Sequence, residues 1–377
     1  MKAYPIVSLT GPRQSGKTTL VKTLFPHFQY LSLEDLDIRE FALKDPRGFL
    51  QNYPSEVIID EAQRAPALFS YLQTHVDQQA QNGQFILTGS QNFLLMENIA
   101  QSLAGRVAVL KLLPLSLQEL MEENRAKSEL NAQIFTGFYP RVYDQKVEVQ
   151  SWYSNYITTY IERDVRQIKN IHDLGQFQLF LKLCANRVGQ LLNLSSLAAD
   201  CGITHNTAKA WIHLLESSYL VFLLQPYYEN FNKRLVKMPK LYFYDTGIVC
   251  SLLDLKDPSQ VSLHHVKGKL FENFVLSELM KHRLNQEKRP NYYFWRDKTG
   301  HEVGCLIDNP NHCIPVEIKS THTIHSDLLK GIHYWQSLNN SPIKPYVFYA
   351  GHENQGRTNA HFLSWTALGK DLSAIDY

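Results

Sequence analysis

Gly11-Pro12-Arg13-Gln14-Ser15-Gly16-Lys17-Thr18 decides how this chain is read, because it fits G-x-x-x-x-G-K-[ST] and has the flanks that pattern requires. Ile6-Val7-Ser8-Leu9 before it is an apolar run of strand type, and Thr19 to Leu24 after it has helical spacing, with Leu20, Val21 and Leu24 inward. Strand, glycine-rich turn and helix in that order make a phosphate-binding loop. In such a loop the amides and the positive end of the helix dipole face phosphate, Lys17 reaches the terminal phosphates and the Thr18 hydroxyl ligates Mg²⁺. Gly11 to Thr18, with Thr19 behind them, are the candidate nucleotide contacts. Arg13 reads either as a phosphate contact or as an internal brace.

Working outward, 377 residues predict two or three domains, and 44% hydrophobic with 20% charged residues is an ordinary globular composition. A formal charge of +2 gives no global nucleic-acid signature, so a DNA site would have to be a local patch. The five cysteines are scattered and never spaced C-x-x-C, which argues against a disulfide framework and a zinc ribbon. No apolar run approaches the length of a membrane span, and the N-terminus enters a strand almost at once. The expectation is therefore a cytoplasmic protein without a membrane partner.

From residue 1 to 123, short β-type runs alternate with helical segments, which predicts an α/β domain with a mainly parallel sheet. The expected strands are Ile6 to Leu9, Gln29 to Leu33, Val57 to Ile59, Gln84 to Leu87 and Val107 to Leu112. A polar linker is expected from Asn124 to Gln133. Residues 134–228 read as helical: a long aromatic-rich helix from Val147 to Ile168, another from Gln176 to Val188, then a helix-turn-helix. Ser196 to Cys201 supply its first helix, Gly202 the turn, Thr204 the N-cap and His205 to Leu215 the second helix. Tyr219 to Gln225, stopped by Pro226, predicts a wing. Residues 229–377 read as a third, α/β domain, with strands at Leu241 to Tyr244, Asn291 to Trp295, Val303 to Ile307 and Cys313 to Ile318, and an amphipathic helix from Lys269 to Arg283.

Hydrolysis needs more than a phosphate cradle. In Val57-Ile58-Ile59-Asp60-Glu61 an apolar strand ends in Asp60, placed to hold Mg²⁺, and Glu61, placed to act as general base toward water. Leu87-Thr88-Gly89-Ser90-Gln91 ends the fourth strand, and Ser90 or Thr88 is the candidate γ-phosphate sensor, against ordinary turn chemistry. Arg106, in Leu103-Ala104-Gly105-Arg106, reads as an arginine finger acting in cis or from a neighbouring subunit, against a solvated surface residue.

These motifs, with Asp60-Glu61-x-Gln63, Pro114-Leu115-Ser116 and Tyr160-Ile161-Glu162-Arg163-Asp164, resemble the bacterial and archaeal AAA+-type ATPases that end in a domain of unknown function 4143. The resemblance covers nearly the whole chain. It implies an ASCE-type parallel sheet, ATP and Mg²⁺ as ligands, and ATP hydrolysis with Glu61 as base and Lys17 on the phosphates. AAA+-type proteins often form rings, so a homo-oligomer or a protein partner is implied by analogy alone.

Arg163 reads as a second sensor or as part of a surface ion-pair helix such as Glu162 with Arg166. The second helix of the helix-turn-helix carries His205, Asn206, Lys209 and His213, but Trp211, Leu214, Leu215 and Glu216 read no groove, so DNA contact and protein docking stay open. Asn232 to Lys237 with Lys240 is the stronger basic patch. Glu272, the strand at Val303 and Pro315-Val316-Glu317-Ile318-Lys319 resemble a restriction-endonuclease-like domain, whose pattern is an Asp followed by Glu-x-Lys. Gly304 stands where that Asp belongs and Glu302 lies two residues earlier, so the domain is expected to be catalytically inactive. The leading reading is an Mg²⁺-dependent ATPase that moves its helical and nuclease-like parts. The alternative is a nucleotide-gated DNA-binding or DNA-processing protein of low turnover.

Overall fold

The computed structural model describes residues 2–89, 92–145, 147–161, 173–228, 238–310, 312–339, 341–370, 372 and 375. The chain divides into two compact units, residues 1–114 with 217–219, and residues 115–216 with 220–377.

The first unit holds β1 (Ile6–Thr10), β2 (Gln29–Ser32), β3 (Val57–Asp60), β4 (Phe85–Gly89) and β5 (Val107–Lys111), the five strands expected, in the order β2-β3-β4-β1-β5. Every neighbouring pair is parallel. A parallel sheet is covered on both faces, so its strands carry unbroken apolar runs. All residues of β1, β3 and β4 are accordingly buried. The crossovers hold α1 (Lys17–Leu24), α2 (Leu36–Lys44), α3 (Pro46–Asn52), α4 (Leu68–Gln79) and α5 (Asn92–Ser102). Val57, Ile59, Phe85 and Leu87 pack with Phe69 and Leu72 of α4, while Ile58, Ile86 and Leu9 pack with Val21 of α1. Of the three α1 residues expected inward, only Val21 is buried; Leu20 and Leu24 are 37% and 60% exposed. Phe25 and Phe28, beyond the helix end, cover that part of the core instead.

Strand order places the site. With β4 alone between β3 and β1, the loop leaving β1 and the acidic pair ending β3 emerge along the same carboxyl edge, where open α/β sheets bind ligands.

The second unit departs further from expectation. The linker stops short, because Leu130–Thr136 is a helix with Leu130, Ile134 and Phe135 buried. The aromatic helix runs Val149–Tyr156 and continues as a π-turn, Ile157–Ile161, beyond which the chain to Ile168 lies outside the described residues. The helices Leu174–Asn186, Leu194–Cys201 and His205–Ser217 follow as read. An eight-stranded sheet is built from β6 (Val221–Pro226), β7 (Lys240–Phe243), β8 (Tyr292–Arg296), β9 (Glu302–Asn309), β10 (His312–Lys319), β11 (Tyr346–Tyr349), β12 (Gln355–Gly356) and β13 (His361–Ser364). Its order is β12-β13-β11-β10-β9-β8-β6-β7.

The expected wing strand is β6, and it pairs antiparallel with β7 and parallel with β8. It is therefore an interior strand of the C-terminal sheet. Val221, Phe222 and Leu224 are buried against β7, and β6 joins the larger sheet through Gln225 and Pro226 at its end. The helix Lys267–Asn285 is not amphipathic in effect. Its polar residues Glu272, Asn273, Ser277, Glu278 and Lys281 are buried alongside its apolar ones, each with a hydrogen-bond partner. No helix among the described residues is long and apolar enough to cross a membrane.

Candidate functional site

The phosphate loop is shaped by backbone that only certain residues allow. Gly11 has φ +150°, and a Cβ there would lie 2.0 Å from the Leu112 carbonyl oxygen, so only glycine fits where the loop leaves β1. Gln14 (φ 59°) and Gly16 (φ 93°) are left-handed, the curvature that turns successive amides toward one side. The side-chain oxygens of Ser15 and Gln14 are buried without a hydrogen-bond partner. The Lys17 ammonium is buried and donates to the carbonyls of Gly11 (3.0 Å) and Pro12 (2.7 Å), so it lies over the loop that would hold the phosphates. Arg13 is half-buried and Thr19 exposed.

Four donors converge on Asp60. One carboxylate oxygen accepts from the Thr18 hydroxyl at 2.9 Å and from the Tyr30 hydroxyl at 2.6 Å. The other accepts from the Thr88 hydroxyl and from the Glu61 amide at 3.1 Å. Burial, followed by the Asp60 carboxylate, pushes the Tyr30 hydroxyl above its ordinary pKa, so it stays protonated and donates. Lys22 lies 3.4 Å over the Tyr30 ring. Thr88, read as a sensor, thus braces the acidic residue; Ser90 lies outside the described residues. Tyr30 was not singled out in the sequence, because its partner lies on the neighbouring strand and no local motif marks it.

Glu61 ends β3 in the left-handed region, φ 54°, and the single 3₁₀ turn Ala62–Arg64 follows. Gln63 is buried and its side-chain amide donates to the Glu61 carboxylate. A hydroxyl and a carboxylate 2.9 Å apart beneath an anion-shaped loop are the donor set a hard divalent cation takes, and they fit Mg²⁺.

Arg106 stands elsewhere. β5 begins at Val107, opposite Ile6, so Arg106 is at the end of the sheet away from the loop that follows Thr10, about 16 Å along five strand residues. Its guanidinium makes a two-pronged pair with Asp77 of α4, at 2.6 and 2.7 Å, and this holds the Asp77 carboxyl below its ordinary range. The geometry excludes the cis option for an arginine finger on this chain's own loop.

In the second unit, the helix-turn-helix forms as read. Gly202 is left-handed at φ 67°, Asn193 caps the first helix at Ser196 N (3.0 Å), and Thr204 caps the second at Thr207 N (3.1 Å). Trp211 packs 5.1 Å from both Phe177 and Phe180, while His205, Asn206, Lys209 and His213 face solvent. Arg163 and the basic run Asn232 to Lys237 lie outside the described residues.

Lys240 does not belong to that basic surface. It is 2% exposed, and its ammonium meets Glu272 at 3.3 Å and Glu302 at 2.5 Å. Burial opposes its charge, and the two carboxylates more than offset this, leaving its pKa raised. Lys269 meets Glu272 at 2.6 Å and Lys319 meets Glu317 at 3.1 Å. A Cβ at Gly304 would face the Glu317 carboxylate at 3.7 Å. Every carboxylate of this cluster already has an ammonium partner, and no group of three or more His, Cys, Asp or Glu among the described residues is arranged to hold a metal.

Residues 3–121 match the AAA domain family (AAA_14), residues 127–259 a domain of unknown function (DUF8612) and residues 267–368 a further domain of unknown function (DUF4143). The uncharacterized protein Rv2008c of Mycobacterium tuberculosis is 30% identical over 323 residues, 85% of this chain and 71% of its own length. The uncharacterized protein MJ1544 of Methanocaldococcus jannaschii is 22% identical over 332 residues, 80% of this chain and 71% of its own length. A solved structure, the Walker-type ATPase PABY2304 of Pyrococcus abyssi, is 15% identical with TM-score 0.39, over 66% of this chain and 91% of its own. That TM-score is too low to bear on function. The matches at both ends and the parallel sheet with its phosphate loop agree: this chain belongs to the family of AAA-type P-loop proteins in which an AAA domain precedes a C-terminal domain of unknown function 4143.

Proposed function

We propose that the chain is an Mg²⁺-dependent ATPase. The observation that carries the reading is the meeting of Thr18 with Asp60 directly beside a buried Lys17 in a glycine-shaped loop. The ammonium of Lys17 exchanges its two loop carbonyls for the terminal phosphates of ATP. Glu61 accepts a proton from water as the water oxygen bonds to the γ-phosphorus and the bond to the β-bridging oxygen breaks, leaving ADP and phosphate. Thr18 and Asp60 would hold Mg²⁺, which would supply charge neutralisation at the phosphates. An arginine finger on this reading comes from Arg106 of another copy, released from Asp77.

Residues 1–123 form the catalytic part, and nucleotide state is coupled to residues 134–228 and 229–377. The C-terminal part serves as a docking platform without nuclease activity, a reading supported by the ammonium partners of Glu272, Glu302 and Glu317. The solvent-facing His205, Asn206, Lys209 and His213 favour one second reading, a nucleotide-gated DNA-binding protein of low turnover.

Phosphate release from ATP and Mg²⁺, with and without double-stranded DNA, tests both in the wild type and in Glu61→Gln. Turnover that vanishes in the variant supports the ATPase. ATP binding without turnover in the wild type sinks it and favours the gated DNA binder, whose salt-dependent binding must then survive Glu61→Gln.

A further inference from the structure

Gln63 is a positioning residue for hydrolysis, we propose: it holds the Glu61 carboxylate where that group meets the attacking water. The inference rests on the ATPase reading and assigns a role to a side chain that composition and spacing leave unassigned.

Three observations carry it. The Gln63 side-chain amide donates to Glu61 Oε2, two residues back across the 3₁₀ turn. Glu61 occupies the left-handed region, φ 54°, a conformation costly for a residue with a Cβ and maintained only when its surroundings fix it. Gln63 itself is 5% exposed, yet its Oε1 is buried with no hydrogen-bond partner. A purely structural glutamine in a core satisfies both ends of its amide, because an orphaned acceptor costs about 1–3 kcal/mol.

The unsatisfied end also has a direction. A Cβ on Gly89 would lie 2.4 Å from Gln63 Oε1, so the amide oxygen is lodged against the carboxyl end of β4. That strand lies between β3, which ends in Asp60, and β1, which feeds the phosphate loop. Gln63 therefore spans from the base to the strand beside the loop. Its donor fixes one carboxylate oxygen of Glu61 and so sets the orientation of the whole carboxylate.

The test is steady-state hydrolysis by the full chain, comparing wild type, Gln63→Leu and Gln63→Glu, with nucleotide binding and thermal melting measured on each. Gln63→Glu keeps the shape and removes the donor, which separates the role from packing. The expected result is a fall in kcat of about 10- to 100-fold in both variants, less than the roughly 10²- to 10⁴-fold that a general base contributes in full. KM for ATP stays within about twofold; Gln63→Leu melts close to wild type, and Gln63→Glu melts lower because it sets a second carboxylate beside Glu61 at a buried position. Wild-type kcat in either variant, or a rise in KM that parallels the fall in kcat, would overturn the inference while leaving the ATPase reading intact. A wild type that binds ATP and never turns over would overturn both. A Gln63→Leu variant that fails to fold leaves Gln63→Glu to decide: a folded Gln63→Glu at wild-type rate refutes the role.

Discussion

The Thr18 hydroxyl donates to the Asp60 carboxylate across 2.9 Å, joining the first turn of α1 to the end of β3 over a sequence separation of 42. The two side chains that the proposed Mg²⁺ site needs are thus brought together by the sheet itself. Replacing Thr18 with Ala is expected to raise the Mg²⁺ concentration for half-maximal turnover by about tenfold or more. The bond is only part-buried, so folding stability is expected to change by about 1 kcal/mol or less. A magnesium titration of ATPase rate beside a urea melt checks both.

Tyr30 braces the same carboxylate oxygen from β2. Tyr30→Phe keeps the ring beneath Lys22 and removes one charge-assisted bond, for an expected loss of about 1.5–3 kcal/mol. Urea denaturation of the first unit's transition measures it. No loss would mean Thr18, Thr88 and the Glu61 amide suffice to hold Asp60.

Lys240 is the ammonium between two carboxylates in the second unit. Burial opposes ionisation of Glu272, but Lys240 and Lys269 outweigh it and hold its carboxyl below its usual range. Lys240→Met is expected to destabilise by less than the roughly 3–5 kcal/mol of a fully broken buried pair, because Glu272 loses one of its two ammonium partners and keeps Lys269. Adding Glu272→Gln should recover much of that loss, which equilibrium denaturation of the single and double variants will show.

Burial raises the Glu216 carboxyl from its ordinary 4.5 to about 7. Between those values the folded state binds more protons than the unfolded one, so stability falls as pH rises through the window. Glu216→Gln is expected to match the wild type near pH 4 and to exceed it above pH 7. The excess is at most about 3.5 kcal/mol at about 1.4 kcal/mol per pKa unit, reduced where water reaches the side chain. Urea melts at pH 4.5, 6 and 8 check the sign.

The legible parts of this sequence were those whose physics is local. The phosphate loop, the strand ending in Asp60 and the cap at Thr204 depend on residues within a few positions of one another. Lys240 was misread as surface because it follows a basic run, whereas its carboxylate partners are 32 and 62 residues away. β11 and β13, four residues each, carry too few positions for a period to declare itself. β6 does pair antiparallel with β7, as a wing strand would; that its last residues, Gln225 and Pro226, also join β8 depends on a distant segment that no local pattern reveals. Ser90, Arg163 and Asn232 to Lys237 remain as the sequence read them.

The helix Lys267–Asn285 also fixes an order of assembly. Glu278 accepts the Leu117 amide at 2.6 Å across a sequence separation of 161, and Phe274 stacks on Phe138 from the same helix. As the chain leaves the ribosome, the five-stranded sheet has all its strands once Lys111 emerges. Leu117 and Phe138 must wait for Glu278 and Phe274 of this helix before these contacts can form, which leaves the buried Phe138 ring without its stacking partner meanwhile. A nascent or truncated chain ending before Lys267 would carry a finished nucleotide-binding sheet and a sticky, unfinished remainder, so holdase chaperones should engage it over that interval of synthesis.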